Sequence, residues 1–325
     1  MKNFTKGVAV ATVSTLLSMG GAFAASFTLS VNTALSTDDP VFKGLEQFRE
    51  NVIKATGGDV DVRLFPGSQL GSDEDVLEQA RAGANVAVST GGERLAVFTK
   101  EFGILGAPYL FDTYDEARKV VTSPLFEAWV EKLRKAANLQ VLSFNQYEGS
   151  RHLLTNRPVK VPADLAGIRM RTVGAPVWLE TIRAIGATPT PMPWTETYSA
   201  IQQKVIDGAE AQLPAVYGSR LYEVVKYITT TGHFFRITGL VTSAKWFDSL
   251  PEKYRKVLRD EALKSGDYTS KMTIDTVPQY QKMMEEKGVV FSNPDVKPFK
   301  DAIKVVYDKL DLNDLKKQVD GVLGR

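Results

Sequence analysis

The sequence predicts an α/β fold: an open sheet with helices packed on it. Three observations carry that expectation. Short stretches alternate apolar and polar residues, as half-buried strands do. Between them lie stretches with apolar residues at helical spacing, in a strict strand-helix-strand order that favours a sheet with crossover helices. Finally, the span from Pro251 to roughly Lys287 has only Gly266 and Pro278 as interruptions and reads as one helix long enough to brace two lobes.

Phe27, Leu29 and Val31 alternate with Ser26, Thr28 and Ser30, giving a first strand. Asp39 caps a helix with Pro40 at its first position, Val41, Leu45, Phe48 and Val52 on its inner face, and Gly57 at its end. Val60, Val62 and Leu64 alternate with Asp59, Asp61 and Arg63 as a second strand. Ser72 to Asp75 forms a capping box before a helix carrying Val76, Leu77 and Ala80. Val86 and Val88 make a third strand, and a capped helix starts between Thr113 and Glu116. Ligands of open α/β sheets sit beyond the carboxyl ends of the strands. That places Asn32, the stretch from Phe65 to Asp73, and Ser89 to Arg94 on one rim.

Further on, Leu142-Ser143-Phe144 precedes a polar stretch from Asn145 to Asn156. Ile168, Met170 and Thr172 alternate with Arg169 and Arg171, so a strand there puts both arginines on one face. Helices follow around Pro176 to Ile185 and Thr195 to Lys204. No Gly/Ser-rich linker divides the chain, so the lobes are expected to exchange strands through short crossings.

Lys2 and Lys6 form a basic head, Val8 to Met19 is apolar apart from Thr and Ser, and Ala22-Phe23-Ala24 offers small residues at alternate positions. This is the pattern of a secretory leader cleaved after Ala24. The expected location is the periplasm. The chain has no cysteine, which excludes disulfides, thiol chemistry and a lipid anchor on cysteine. Losing Lys2 and Lys6 takes the formal charge from +2 to zero. A neutral protein lacks the basic excess that nucleic acid or an anionic membrane demands.

Catalytic constellations are missing from the sequence. The two histidines, His152 and His233, fit no metal-ligand spacing, and there is no nucleophile elbow, phosphate loop or dinucleotide fingerprint. The expectation is therefore a protein with no catalysis, no metal and no cofactor. Arginine carries the chemistry instead, because its planar fork meets a carboxylate with two parallel hydrogen bonds. Arg151 and Arg171 are the candidates.

Three passages resemble the solute receptors of tripartite ATP-independent periplasmic (TRAP) transporters, the DctP-like family that includes C4-dicarboxylate and sialic acid binding proteins. The first is Phe65-Pro66-Gly67-Ser68-Gln69-Leu70-Gly71-Ser72-Asp73, leading to Arg81-Ala82-Gly83. The second runs from Arg157-Pro158 through Pro162-Ala163-Asp164-Leu165-Ala166-Gly167 to Arg171. The third spans Gly186 to Trp194 and continues to Ile206-Asp207-Gly208-Ala209-Glu210, before Leu221-Tyr222-Glu223-Val224 and Thr231-Gly232-His233. The similarity runs in order over nearly the whole chain after the leader.

The resemblance implies a two-lobed periplasmic binding protein with a mixed sheet in each lobe and a long helix spanning both. Lobe I is expected at 25–148 plus 237–276, and lobe II at 149–236 plus 277–325. It implies a monomer that hands a small-molecule carboxylate to the small and large membrane subunits of a permease. By position, Arg171 matches the arginine that pairs with the substrate carboxylate, with Arg151 assisting and Trp194 lying against the ligand. Asn32 and Asp73 match first-lobe hydrogen-bonding positions, and Gly91, Gly92 and Arg94 lie on a ligand-facing loop. Trp178 and Tyr217 are further pocket-wall candidates. Ala211 stands where many members have Asn, with Gln212 as a substitute. Gly91-Gly92, Trp178 and Trp194 suggest a roomier, more apolar pocket, so a bulky or aromatic acid is as open as a C4-dicarboxylate or sugar acid. A receptor for an ATP-driven importer and a periplasmic enzyme are the alternatives.

Overall fold

The computed structural model describes residues 25–325, so the expected leader lies outside the described residues. The chain begins β1 (Phe27–Asn32), α1 (Pro40–Ala55), β2 (Val60–Phe65), α2 (Asp73–Arg81) and β3 (Val86–Gly91), in the expected alternation. Local signals set these boundaries. The Asp39 carboxylate accepts from the Val41 amide at 2.9 Å, and Pro40 opens α1. Both bonds of the Ser72/Asp75 capping box are present at α2. The short α3 (Gly92–Leu95), then α4 (Tyr114–Val121) and α5 (Pro124–Ala137), lead to β4 (Leu139–Thr155). Next come β5 (Arg169–Thr172), α6 (Pro176–Ala184), β6 (Thr188–Pro191), α7 (Thr197–Gln202), β7 (Gly208–Gln212) and α8 (Leu213–Gly218). The chain ends with β8 (Tyr227–Ser243), α9 (Ala244–Ser249), α10 (Glu252–Glu285), β9 (Val290–Ser292), α11 (Lys297–Lys309) and α12 (Asn313–Leu323).

The strands form one sheet in the order β2-β1-β3-β8-β4-β7-β5-β6, with β9 paired to β8. Each half is mixed, as expected, and the halves are continuous because β4 and β8 run antiparallel through both. Each of these strands has 17 residues. Register shifts between Val141 and Leu153 bend the pair where it crosses. The polar stretch from Asn145 to Asn156 is largely the crossing part of β4. Its polar side chains are buried because the strand passes under the cleft between the halves.

The long helix is α10, with 34 residues, or about 50 Å. It packs on β4 and α1 along a face of small residues. Gly44 of α1 is needed there, since a Cβ would sit 1.9 Å from the Thr269 hydroxyl. Ser265 donates to the Gly44 carbonyl at 2.7 Å across the same contact. On the other side of β4, Phe102, Phe126 and Phe144 meet edge-on or tilted at 5.5–5.7 Å between ring centres. The C-terminal helices divide: α11 lies on α6, and α12 on α4. No helix among the described residues is long and apolar enough to cross a membrane.

Candidate functional site

The cleft between the two halves closes over a cavity of about 40 Å³, room for about three water centres. Its wall draws on the loop after β1, on Asp73 at the start of α2, on Ser89 and Arg94 around the end of β3, and on β4, β5, β7 and β8. The strand-end rim does face the cavity. The structure brings together six of the expected residues: Asp73, Arg94, Arg151, Arg171, Trp194 and Gln212.

The four cavity arginines differ in their partners. Arg151 is fully engaged. Its Nε meets the Glu210 carboxylate, one terminal nitrogen donates to the Gln212 side-chain oxygen, and the other to the Glu210 carbonyl. Arg94 meets Glu74 at 2.7 Å, Glu93 at 3.0 Å and Asp73 at 3.5 Å. Arg236 pairs with Glu93 and lies 3.3 Å from Glu148. Arg171 alone of the four has no carboxylate within 4.0 Å among the described residues. Its Nε and one terminal nitrogen share the Met192 carbonyl at 3.1 and 2.9 Å, and its plane lies 5.2 Å from the Trp194 ring. Burial pulls its pKa down to about 9, and Glu210 offsets this only in part against the charges of Arg151, Arg94 and Arg236. Burial without a close counter-charge disfavours the cationic form, and an anion beside the group would favour it again.

Gln212 bridges the wall. Its oxygen takes the Arg151 bond, and its nitrogen donates to Glu148 at 2.7 Å. Thr172 donates to the other Glu210 oxygen at 2.9 Å. Asp73 is buried with its Oδ1 lacking a partner among the described residues, and burial raises its pKa despite Arg94. Trp194 is fixed by its ring nitrogen donating to Ser219 at 2.9 Å.

The other five expected residues do not line the cavity. Asn32 staples the loop before α2, accepting from the Leu70 amide at 3.1 Å and donating to the Gly71 carbonyl at 3.2 Å. Trp178 lies one layer down: it stacks on Phe234 at 4.4 Å, donates to the Gly106 carbonyl at 2.9 Å, and supports Arg151 and Arg236 on its ring at 4.7 and 5.2 Å. Tyr217 packs with Tyr222 and Tyr280 in the second half. Gly91 and Gly92 do not enlarge the pocket. A Cβ on Gly91 would sit 2.0 Å from Glu93 Oε2 and 2.5 Å from an Arg236 nitrogen, and one on Gly92 would sit 2.3 Å from the Phe102 carbonyl. The room they leave is filled by an ion pair and backbone, so the expected roomier, more apolar pocket is instead small and heavily charged. Neither histidine faces the cavity. His152 accepts from the Gly232 amide at 3.1 Å, and burial beside Arg151 lowers its pKa to about 4.

Sequence reasoning missed Glu148 and Arg236, which project into the cavity from inside β4 and β8, and Thr33, directly beyond β1. Thr33 was within reach of the strand-end rule; the other two required knowing that β4 and β8 cross the cleft.

Residues 31–313 match the family described as bacterial extracellular solute-binding protein, family 7 (DctP). The C4-dicarboxylate-binding periplasmic protein DctP of Rhodobacter capsulatus is 28% identical over 271 residues, 82% of this chain and 80% of that protein. A TRAP periplasmic solute-binding protein from Escherichia fergusonii, solved as an apo open structure, is 45% identical. It covers 91% of this chain and 99% of its own, with a TM-score of 0.80. One from Ochrobacterium anthropi with bound L-fuconate is 30% identical at the same coverages, with a TM-score of 0.88. The less identical, ligand-bound relative is thus the nearer in shape, which agrees with a closed cleft here.

Proposed function

This chain belongs to the bacterial extracellular solute-binding proteins of family 7, and we propose that it holds one carboxylate of a small organic acid on Arg171. It is a TRAP-type solute-binding receptor and not an enzyme. The observation that carries the proposal is the buried Arg171 guanidinium, alone among the cavity arginines in having no carboxylate partner among the described residues. With its neighbours' charges already answered, an incoming carboxylate supplies the missing counter-charge. Trp194 covers the face of the guanidinium and excludes water from it. Arg151 assists by holding Glu210 and Gln212 in place, so its role is to shape the site.

Closure of the two halves buries the pair, and the closed receptor passes its cargo to a TRAP permease with a small and a large membrane subunit. The leader is cleaved after Ala24, and with no cysteine for lipid attachment the mature receptor moves freely in the periplasm as a monomer.

The test is a thermal-shift screen of hydroxy, sugar, dicarboxylic and aromatic acids, followed by calorimetry of the best acid on Arg171→Lys. A ligand at a hundred times its Kd adds about 2.7 kcal/mol of stability. Lysine keeps the charge and loses the fork, so affinity should fall ten- to hundred-fold, about 1.4–3 kcal/mol. Unchanged affinity removes Arg171 from the site.

A further inference from the structure

The cavity wall carries four arginines, Arg94, Arg151, Arg171 and Arg236, and two carboxylates, Asp73 and Glu148. Glu93 and Glu210 lie behind the wall and pair with Arg94, Arg236 and Arg151. Three of the arginines are already paired, so among the described residues the site offers one cation without a carboxylate partner. A ligand with a second carboxylate would bring it into a wall whose remaining polar groups include the carboxylates of Glu148 and Asp73.

Glu148 cannot swing aside. Its Oε1 accepts from Thr238 at 2.9 Å, and its Oε2 accepts from Gln212 at 2.7 Å and from Arg236 at 3.3 Å. It is buried on the cavity wall, in the part of β4 that runs beneath the cleft. Asp73 adds a second constraint. Its unpartnered Oδ1 is a buried acceptor, which a ligand hydroxyl satisfies and a ligand carboxylate does not.

Resting on the reading of Arg171 given above, we infer that Glu148, clamped by Arg236, Gln212 and Thr238, restricts this receptor to hydroxylated monocarboxylates and excludes dicarboxylates. The relative from Rhodobacter capsulatus is named for the opposite class.

The experiment is calorimetry with three matched pairs, each differing only by CH2OH against COO−: D-glycerate and tartronate, L-threonate and L-tartrate, L-galactonate and galactarate. The expected result is binding of at least one of the three monoacids. Each diacid should bind at least a hundred-fold more weakly than its partner, since like charges in a closed site repel strongly. Glu148→Gln keeps the hydrogen-bonding shape and removes the charge. It should raise the affinity for each diacid relative to its matched monoacid at least ten-fold.

Equal binding of a diacid and its monoacid by the unaltered protein overturns the inference without any variant. An unchanged ratio in a folded Glu148→Gln protein assigns selectivity elsewhere and also overturns it, as does binding of none of the six acids. Arg171→Lys separates the two readings. Undiminished monoacid binding there refutes the anchor, whereas a lost preference for monoacids with the anchor intact refutes only the role of Glu148.

Discussion

Replacing Arg151 with methionine separates a structural brace from a ligand-binding arm. In the structure every guanidinium nitrogen of Arg151 is spent on Glu210 and Gln212, and the group lies 4.7 Å from the Trp178 ring. Glu210 is fully buried, so the substitution leaves its carboxylate with the Thr172 hydroxyl, His233 at 3.9 Å and the more distant Arg171 charge. Breaking one side of a buried pair costs about 3–5 kcal/mol. The lost cation-π contact adds roughly 1 kcal/mol, and methionine packing recovers a comparable amount. The expected loss is therefore about 4 kcal/mol, a large share of the 5–15 kcal/mol typical of a folded domain. Adding Glu210→Gln removes the stranded charge and should restore about 2 kcal/mol or more, a coupling visible only if the two residues are partners. Urea unfolding of the ligand-free proteins, followed by tryptophan fluorescence, measures both values. The reasoning is refuted if the single variant stays within 1 kcal/mol of the parent while losing its affinity for acids, because Arg151 would then be spending its charge on ligand.

Two further substitutions probe the surroundings. Burial, reinforced by the Glu148 charge and opposed by the Val41 amide, raises the Asp39 pKa from 3.8 to about 7. The folded protein thus holds this proton more tightly than the unfolded chain. The contribution of Asp39 to stability is greatest at acid pH, falls as pH rises from 3.8 to about 7, and is level above that. Asparagine keeps the helix cap, so Asp39→Asn should equal the parent at pH 4 and exceed it by roughly 2–4 kcal/mol at pH 8. Parallel stability curves across that range would exclude a proton at Asp39. Gly91→Ala places a Cβ 2.0 Å from Glu93 and 2.5 Å from Arg236. It should cost about 1–3 kcal/mol in unfolding free energy; a neutral outcome would mean that the Glu93–Arg236 pair yields easily.

How much of this was legible in the sequence follows from where each signal lies. The opening strands and helices declared themselves because one face of each meets the core and the other meets water, which writes a period of two or 3.6 into the residues. Asp39, Pro40, Ser72 and Asp75 marked helix starts through local hydrogen bonds that need no tertiary partner. The length of α10 was readable from the scarcity of breakers. β4 was not, because Asn145, Gln146, Glu148 and Arg151 are polar and buried, a combination that makes sense only once a second long strand and a cleft are present. Arg171 could be picked out as a candidate, but that it lacks a carboxylate partner could not, since Glu93, Glu148 and Glu210 pair with Arg236 and Arg151 across distant parts of the chain. Gly91 misled for the same reason: its missing side chain signals a close approach without saying what approaches.

The most direct test of the account is a crystal structure of the receptor with the tightest-binding monoacid of the six. The account predicts the ligand carboxylate on Arg171, its oxygens about 2.7–2.9 Å from guanidinium nitrogens. It also predicts a hydroxyl on Asp73 Oδ1, with Arg151 still bound to Glu210. A carboxylate seated on Arg94 or Arg236, with Arg171 bonded only to the Met192 carbonyl as it is now, would contradict it.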